Sequence, residues 1–148
     1  MFSTAMRYPE QLIARMREDL TQYGVEETRT PEEVNRKLAP GSGTVLMVVN
    51  SVCGCAAGKA RPAIGIALQH HVRPDATATV FAGADLEAVA RVRELLTGVP
   101  PSSPSIALFR DGKPVFVVHR HQIESRQAPE IAKLLTEAFD QYCVSARQ

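Results

Sequence analysis

The chain has 148 residues, 45% of them hydrophobic and 22% charged, which suits one folded domain with one core, expected over residues 1–148. Seventeen Lys and Arg face sixteen Asp and Glu, and the resulting net charge of +1 gives no reason to expect nucleic acid or an anionic membrane as the main partner. The longest apolar run, Val45 to Val49, falls far below the roughly 20 residues of a spanning helix. The first residues, Met1 to Glu10, lack the apolar stretch of a secretory signal, so the cytoplasm is the expected compartment.

Leu12, Ile13, Met16 and Leu20 recur at helical spacing and predict a helix from Glu10 to Tyr23, stopped by Gly24. A short second helix follows, with Thr30 as cap, Pro31 in its first turn and Glu33 completing a capping box; Pro40, Gly41 and Gly43 end it. Thr44 to Asn50 is apolar at nearly every position, the pattern of a strand buried on both faces. Cys53 to Gln69 reads as a helix that starts straight after that strand, with Pro62 bending it or marking its true first turn.

Thr77 to Ala82 is a second strand, and Leu86 to Leu96 a helix with Gly98 as its stop. Pro100, Pro101 and Pro104 stiffen the next loop. Ser105 to Phe109 and Val115 to Val118 read as strands joined by Arg110-Asp111-Gly112-Lys113, and a last helix runs from about Pro129 to Tyr142. Strands alternating with helices argue for an α/β fold with parallel pairing in its first part, made mixed by the closing hairpin.

Three cysteines are too few for a disulfide scaffold, and a close pair in a reducing compartment points to redox catalysis or metal binding. Cys53 and Cys55 form a Cys-Gly-Cys motif at a strand-to-helix junction. Unpaired N–H groups and the partial positive charge of a helix start favour a thiolate there. Cys53 is therefore the expected nucleophile, and Cys55, inside the first turn, can strike back at a mixed disulfide held on Cys53. Gly54 eases the backbone of the small ring that a Cys53–Cys55 bond would close. A ring that tight departs from easy disulfide geometry, so the bond is expected to be labile, with a potential above that of thioredoxin.

Other side chains weigh less. His119 and His121, two apart at the end of the last strand, would point the same way and could join Cys53 and Cys55 in a metal site, although the spacing is unlike the usual zinc patterns. His70 and His71 are read as complementing the dipole at the end of the Cys53 helix. Cys143 is read as an incidental, partly exposed thiol, with a second redox partner as its functional alternative, and Ser103-Pro104-Ser105, taken alone, as an ordinary proline turn that could also hold a cis bond.

The run Asn50-Ser51-Val52-Cys53-Gly54-Cys55-Ala56-Ala57-Gly58, followed by Ala60-Arg61-Pro62, resembles the bacilliredoxin family. Val80-Phe81-Ala82-Gly83, Pro100-Pro101-Ser102-Ser103-Pro104-Ser105, His119-Arg120-His121-Gln122-Ile123-Glu124 and Ala138-Phe139-Asp140 with Cys143 carry the likeness along almost the full length. The resemblance implies a thioredoxin-like fold with a mixed central sheet flanked by helices and an N-terminal helical extension. It implies a bacterial thiol–disulfide oxidoreductase that removes bacillithiol from S-bacillithiolated proteins, with bacillithiol as thiol co-substrate and no bound cofactor or metal.

In that reading Cys53 takes the thiol, and Cys55 or free bacillithiol resolves the adduct. Gly54, Asn50, Ser103 and Pro104 are the residues expected to meet the substrate, and Pro104 matches the loop proline that faces the site in thioredoxin-like folds, which favours a cis bond before it. The protein is expected to be a monomer or homodimer. The competing readings are a protein disulfide isomerase, an activity also associated with the family, a redox sensor, and a non-catalytic metal or cluster carrier using Cys53 and Cys55.

Overall fold

The structure is a computed structural model that describes residues 6–143. The readings of the first residues and of a domain over 1–148 extend to residues 1–5 and 144–148, which lie outside the described residues.

The central strand is β2 (Thr44–Asn50), buried at every position as its unbroken apolar run requires. Its alternate residues feed two layers. Leu46 and Val48 pack with Ile106, Leu108 and Val118 against helices α3 (Arg61–Ala67) and α6 (Ala128–Tyr142), through Ile64, Ile131, Leu135 and Phe139. Val45, Met47 and Val49 pack on the other face with Val34 of α2 (Pro31–Lys37) and with Val89 and Val92 of α4 (Leu86–Leu95). The helices thus flank a mixed sheet on both sides, with α1 (Glu10–Thr21) added ahead of it.

The five-stranded sheet has the order β1-β3-β2-β4-β5. The two-residue edge strand β1 (Glu26–Glu27), absent from the sequence reading, pairs parallel with β3 (Ala76–Phe81), which pairs parallel with β2. Two residues are too few to show the alternation by which a strand is recognised. β4 (Ser105–Arg110) and β5 (Lys113–Val118) close the sheet antiparallel. Their connection is tighter than the four residues expected. Asp111 and Gly112 alone turn the chain, both at positive φ, 52° and 85°, as a two-residue hairpin of matching twist demands.

The capping box of α2 forms as expected. Glu33 N–H donates to Thr30 Oγ1 at 3.1 Å, and Thr30 N–H to Glu33 Oε1 at 3.2 Å. The long helix expected from Cys53 to Gln69 is instead composite. A helical turn at Gly54 and Cys55 passes into a π-helical stretch over Ala56–Ala60, and α3 ends at Ala67. The change of register falls just ahead of Pro62, which has no N–H to donate. His70 and His71 consequently lie beyond the helix end rather than capping its dipole, and His70 pairs with Asp140 of α6 at 2.9 Å.

The N-terminal helix is fastened by a buried charge. Arg17 reaches Asp85, Glu10 and Glu27, each at 2.9 Å. Its guanidinium also lies 5.3 Å from the centre of the Phe81 ring. Among the described residues, no helix is long and apolar enough to cross a membrane.

Candidate active site

The loop leaving β2 carries the two cysteines, and hydrogen bonds fix its path. Asn50, 1% exposed, donates from Nδ2 to the Met16 carbonyl of α1 at 3.1 Å and accepts at Oδ1 from the Ser51 N–H at 2.8 Å. Ser51 Oγ then accepts from the Cys53 N–H at 3.0 Å. Arg61 of α3 donates to the same Met16 carbonyl at 3.3 Å, which joins α3 to the turn of α1 that holds the loop. Asn50 is thus engaged inside the protein on both sides of its amide, where it shapes the loop and presents nothing outward.

Beyond Ser51 the chain surfaces. Cys53 and Cys55 are both half-buried, with their sulfurs in hydrogen-bond contact at 2.7 Å. The Cys53 carbonyl accepts from Ala56 N–H at 2.9 Å, which starts the helix on Cys53. Gly54 is exposed, with no other atom within 4 Å of where a Cβ would stand and no left-handed φ. The dithiol form places no steric demand for glycine there.

The two thiols are pushed apart in acidity. The Cys53 thiol is lowered, first by the hydrogen bond from Cys55, then, against a burial penalty, by the backbone N–H of Cys55, the charge of Arg120 and the N–H of Ala56. The Cys55 thiol is raised by burial and by the neighbouring Cys53 sulfur, which it serves as donor. One thiol suited to be a thiolate and one suited to remain protonated therefore sit side by side.

The proline-rich loop is joined to this pair through one side chain. The Ser103–Pro104 peptide bond is cis, Pro104 is buried and Ser103 half-buried. The link between loop and sulfur is Arg120. Its Nη2 donates to Cys53 Sγ at 3.3 Å, its Nη1 to the Ser103 carbonyl at 3.2 Å and its Nε to Glu124 Oε2 at 3.2 Å. The Arg120 backbone N–H adds a bond to Ser102 Oγ at 3.3 Å.

Sequence reasoning singled out neither Arg120 nor Glu124. It placed His119 and His121 on a strand end, whereas β5 stops at Val118 and a short helix α5 (Arg120–Glu124) follows. The available signals were local. Gln122, three residues after His119, accepts the His119 N–H at 2.8 Å, and Arg120 and Glu124 stand four apart as a helical ion pair.

The two histidine rings do lie together, stacked with centroids 5.6 Å apart. Yet among the described residues no three His, Cys, Asp or Glu side chains gather as a metal site would need, so the histidines do not join the cysteines. Cys143, expected to be partly exposed, is 1% exposed at the C-terminal cap of α6, inside the core against α3.

The family profile described as disulphide isomerase matches residues 8–143. A bacilliredoxin of Salinibacter ruber is 57% identical over 93% of the chain and 82% of the relative. One of Koribacter versatilis is 53% identical over 92% and 94%, and one of Geobacillus kaustophilus 45% identical over 97% and 98%. Among solved structures, a thioredoxin of Malassezia sympodialis superposes with a TM-score of 0.56 at 15% identity, covering 81% of the chain and 91% of its own. Thioredoxin O2 of Arabidopsis thaliana, in its oxidized state, does so with 0.53 at 12% identity, covering 80% and 96%.

Proposed function

The chain belongs to the bacilliredoxin family, and from that premise we propose that it removes bacillithiol from protein mixed disulfides, Cys53 attacking and Cys55 resolving. Its broader class is that of a thiol–disulfide oxidoreductase with a thioredoxin-like fold. The observation that carries the finer reading is the asymmetry of the thiol pair. The Cys53 sulfur accepts from Arg120 and stands beside the Cys55 thiol, which serves it as a donor.

In the first step the Cys53 thiolate attacks the bacillithiol sulfur of the mixed disulfide. The new bond is Cys53–S–S–bacillithiol, and the substrate protein leaves as its thiolate. In the second step the Cys55 sulfur attacks Cys53 Sγ, closes a Cys53–Cys55 disulfide and sends its proton with the departing bacillithiol. Two equivalents of an external thiol then restore the dithiol: the first opens the ring and stays as a mixed disulfide, and the second attacks that adduct and leaves with the first as their symmetrical disulfide. The raised pKa of Cys55 favours its protonated form while Cys53 attacks, which orders the two steps.

In this reading the cis Ser103–Pro104 loop and the open face of Gly54 meet the substrate, and Asn50 supports the loop from within. The reaction is assigned to the reducing cytoplasm, with low-molecular-weight thiol and S-bacillithiolated proteins as partners and no resident metal or cofactor.

Mass spectrometry after incubation with an S-bacillithiolated protein tests the order of attack. Cys53→Ser is expected to abolish release of the substrate thiol. Cys55→Ser is expected to retain the first step and accumulate one bacillithiol adduct on Cys53. An adduct on Cys55 or Cys143 in the wild type would reverse the roles. The description of the family as disulphide isomerase supports a second reading, in which Cys53 attacks protein disulfides directly. Reactivation of a scrambled disulfide protein by Cys55→Ser at a rate matching its mixed-disulfide attack would favour that reading.

A further inference from the structure

The thiol pair leaves unexplained why a guanidinium stands on the Cys53 sulfur while also gripping the loop before Pro104. Arg120 is not a generic surface cation. Each of its three nitrogens has a different acceptor: a sulfur at the start of the helical segment after β2, a main-chain carbonyl of the cis-proline loop, and a carboxylate one turn along its own helix. Lys59, from the π-helical stretch, donates to the Glu124 carbonyl at 2.6 Å and ties α5 to the segment that carries Cys55. Two bonds, to Glu124 and to the Ser103 carbonyl, hold the planar fork, so the end aimed at sulfur is set before any substrate arrives.

We propose that Arg120 is a catalytic residue that holds the Cys53 sulfur as a thiolate for attack, with Glu124 as the positioning residue that keeps its guanidinium there. The proposal rests on Cys53 being the attacking thiol. A positive charge within hydrogen-bond reach of a sulfur favours its ionised form. The balance is simple. The Cys53 thiol loses its proton to solvent, Arg120 keeps all of its own, and the electron pair on sulfur becomes the nucleophile. Once the mixed disulfide forms, Cys53 carries no charge, and the Arg120 contact loses its electrostatic reason until the ring is closed and reopened.

The ionisable groups facing the sulfur are few. Cys55 comes from its own segment, and Arg120 and Glu124 come from α5. Glu124 bears on the Cys53 sulfur through Arg120, with which it pairs at 3.2 Å, while its own charge acts on Cys55, whose thiol it pushes up. Because Arg120 is half-exposed, solvent screens its charge and the expected effect is moderate.

The test is the rate of Cys53 alkylation by iodoacetamide from pH 5 to pH 11 in the wild type, Arg120→Met, Arg120→Lys and Glu124→Gln, with the labelled sulfur mapped by mass spectrometry. Arg120→Met is expected to move the rate curve to higher pH and slow the reaction at pH 7 by roughly three- to tenfold. Above the inflection of both proteins it should react as fast as the wild type or faster, since a more basic thiolate is intrinsically the better nucleophile. Arg120→Lys should recover part of the loss at pH 7, and Glu124→Gln should fall between Arg120→Met and the wild type.

A merely structural residue would slow the reaction equally at every pH, and that result would overturn the proposal, as would coincident curves for wild type and Arg120→Met. Should the wild type label first on Cys55 or Cys143, the nucleophile assignment fails and the role of Arg120 fails with it. That outcome is seen in the wild type alone, so the two failures are told apart.

Discussion

Arg17 and Arg120 each tie three parts of the molecule together, in opposite surroundings. Arg17 lies under the surface, 5% exposed, with three carboxylates at 2.9 Å. Arg120 stands half in solvent, and its partners are a sulfur, a carbonyl and one carboxylate. A buried charge must be met by opposite charge, because desolvation costs several kcal/mol per ion. The value of Arg17 is therefore in docking α1 beside β3 and α4. An exposed charge contributes little to stability, so the value of Arg120 lies in what it does to the one sulfur it touches.

The largest expected effect separates these roles. Arg17→Met leaves Asp85 buried against a neutral side chain, and about 3–5 kcal/mol of stability should be lost, read as a lowered urea midpoint. In the fraction that remains folded, the pH curve for Cys53 alkylation should stay where it is. A curve that moved with Arg17 would dissolve the distinction between a structural and a chemical guanidinium.

A smaller effect sharpens the chemical end. Cys55 is the foremost donor to the Cys53 sulfur, so Cys55→Ala should shift the alkylation curve to higher pH. The sign follows from removing a hydrogen bond that favours the ionised form of Cys53. Cys55→Ser keeps a donor and should shift it less. Identical curves for the alanine and serine variants would transfer the whole effect to Arg120 and the helix start.

The smallest effect concerns Gly54. With open space where its Cβ would stand, Gly54→Ala should change the stability of the dithiol form by no more than about 0.5 kcal/mol. If glycine serves the ring-closed form, the variant should form the Cys53–Cys55 disulfide less readily, which a glutathione redox titration reads directly.

Much of the architecture was legible because burial writes itself into apolar spacing. The unbroken run of β2 and the capping box of α2 needed no tertiary information, whereas the stripe of α1 was legible only in part: Ile13 and Leu20 are buried, but Leu12 is 55% exposed and the charged Arg17 is buried instead. β1 was invisible because two residues carry no period, and its pairing comes from β3. The hairpin was drawn too wide because Arg110 and Lys113 look like turn residues yet pair with each other across the strands. The π-helical stretch was signalled by Pro62 but not specified by it.

At the site the cysteines and the cis proline were legible as motif and resemblance. Arg120 was not, because its partners lie 67 and 17 residues away and only the fold brings them together. Its flanking histidines drew attention toward metal chemistry instead. Asn50 was recognised, but a side chain that points inward and one that points at a ligand are spelled with the same letter.

The thiol sealed at the end of α6 gives the molecule an internal gauge of its own opening. Cys143 is packed where α6 meets α3, remote from solvent, while the other two sulfurs lie at the surface. A colourimetric thiol reagent therefore counts two in the intact protein and reaches the third only as the closing helix peels away. Because that helix caps the sheet layer beneath the reactive segment, the delayed count reports how long the catalytic framework itself endures.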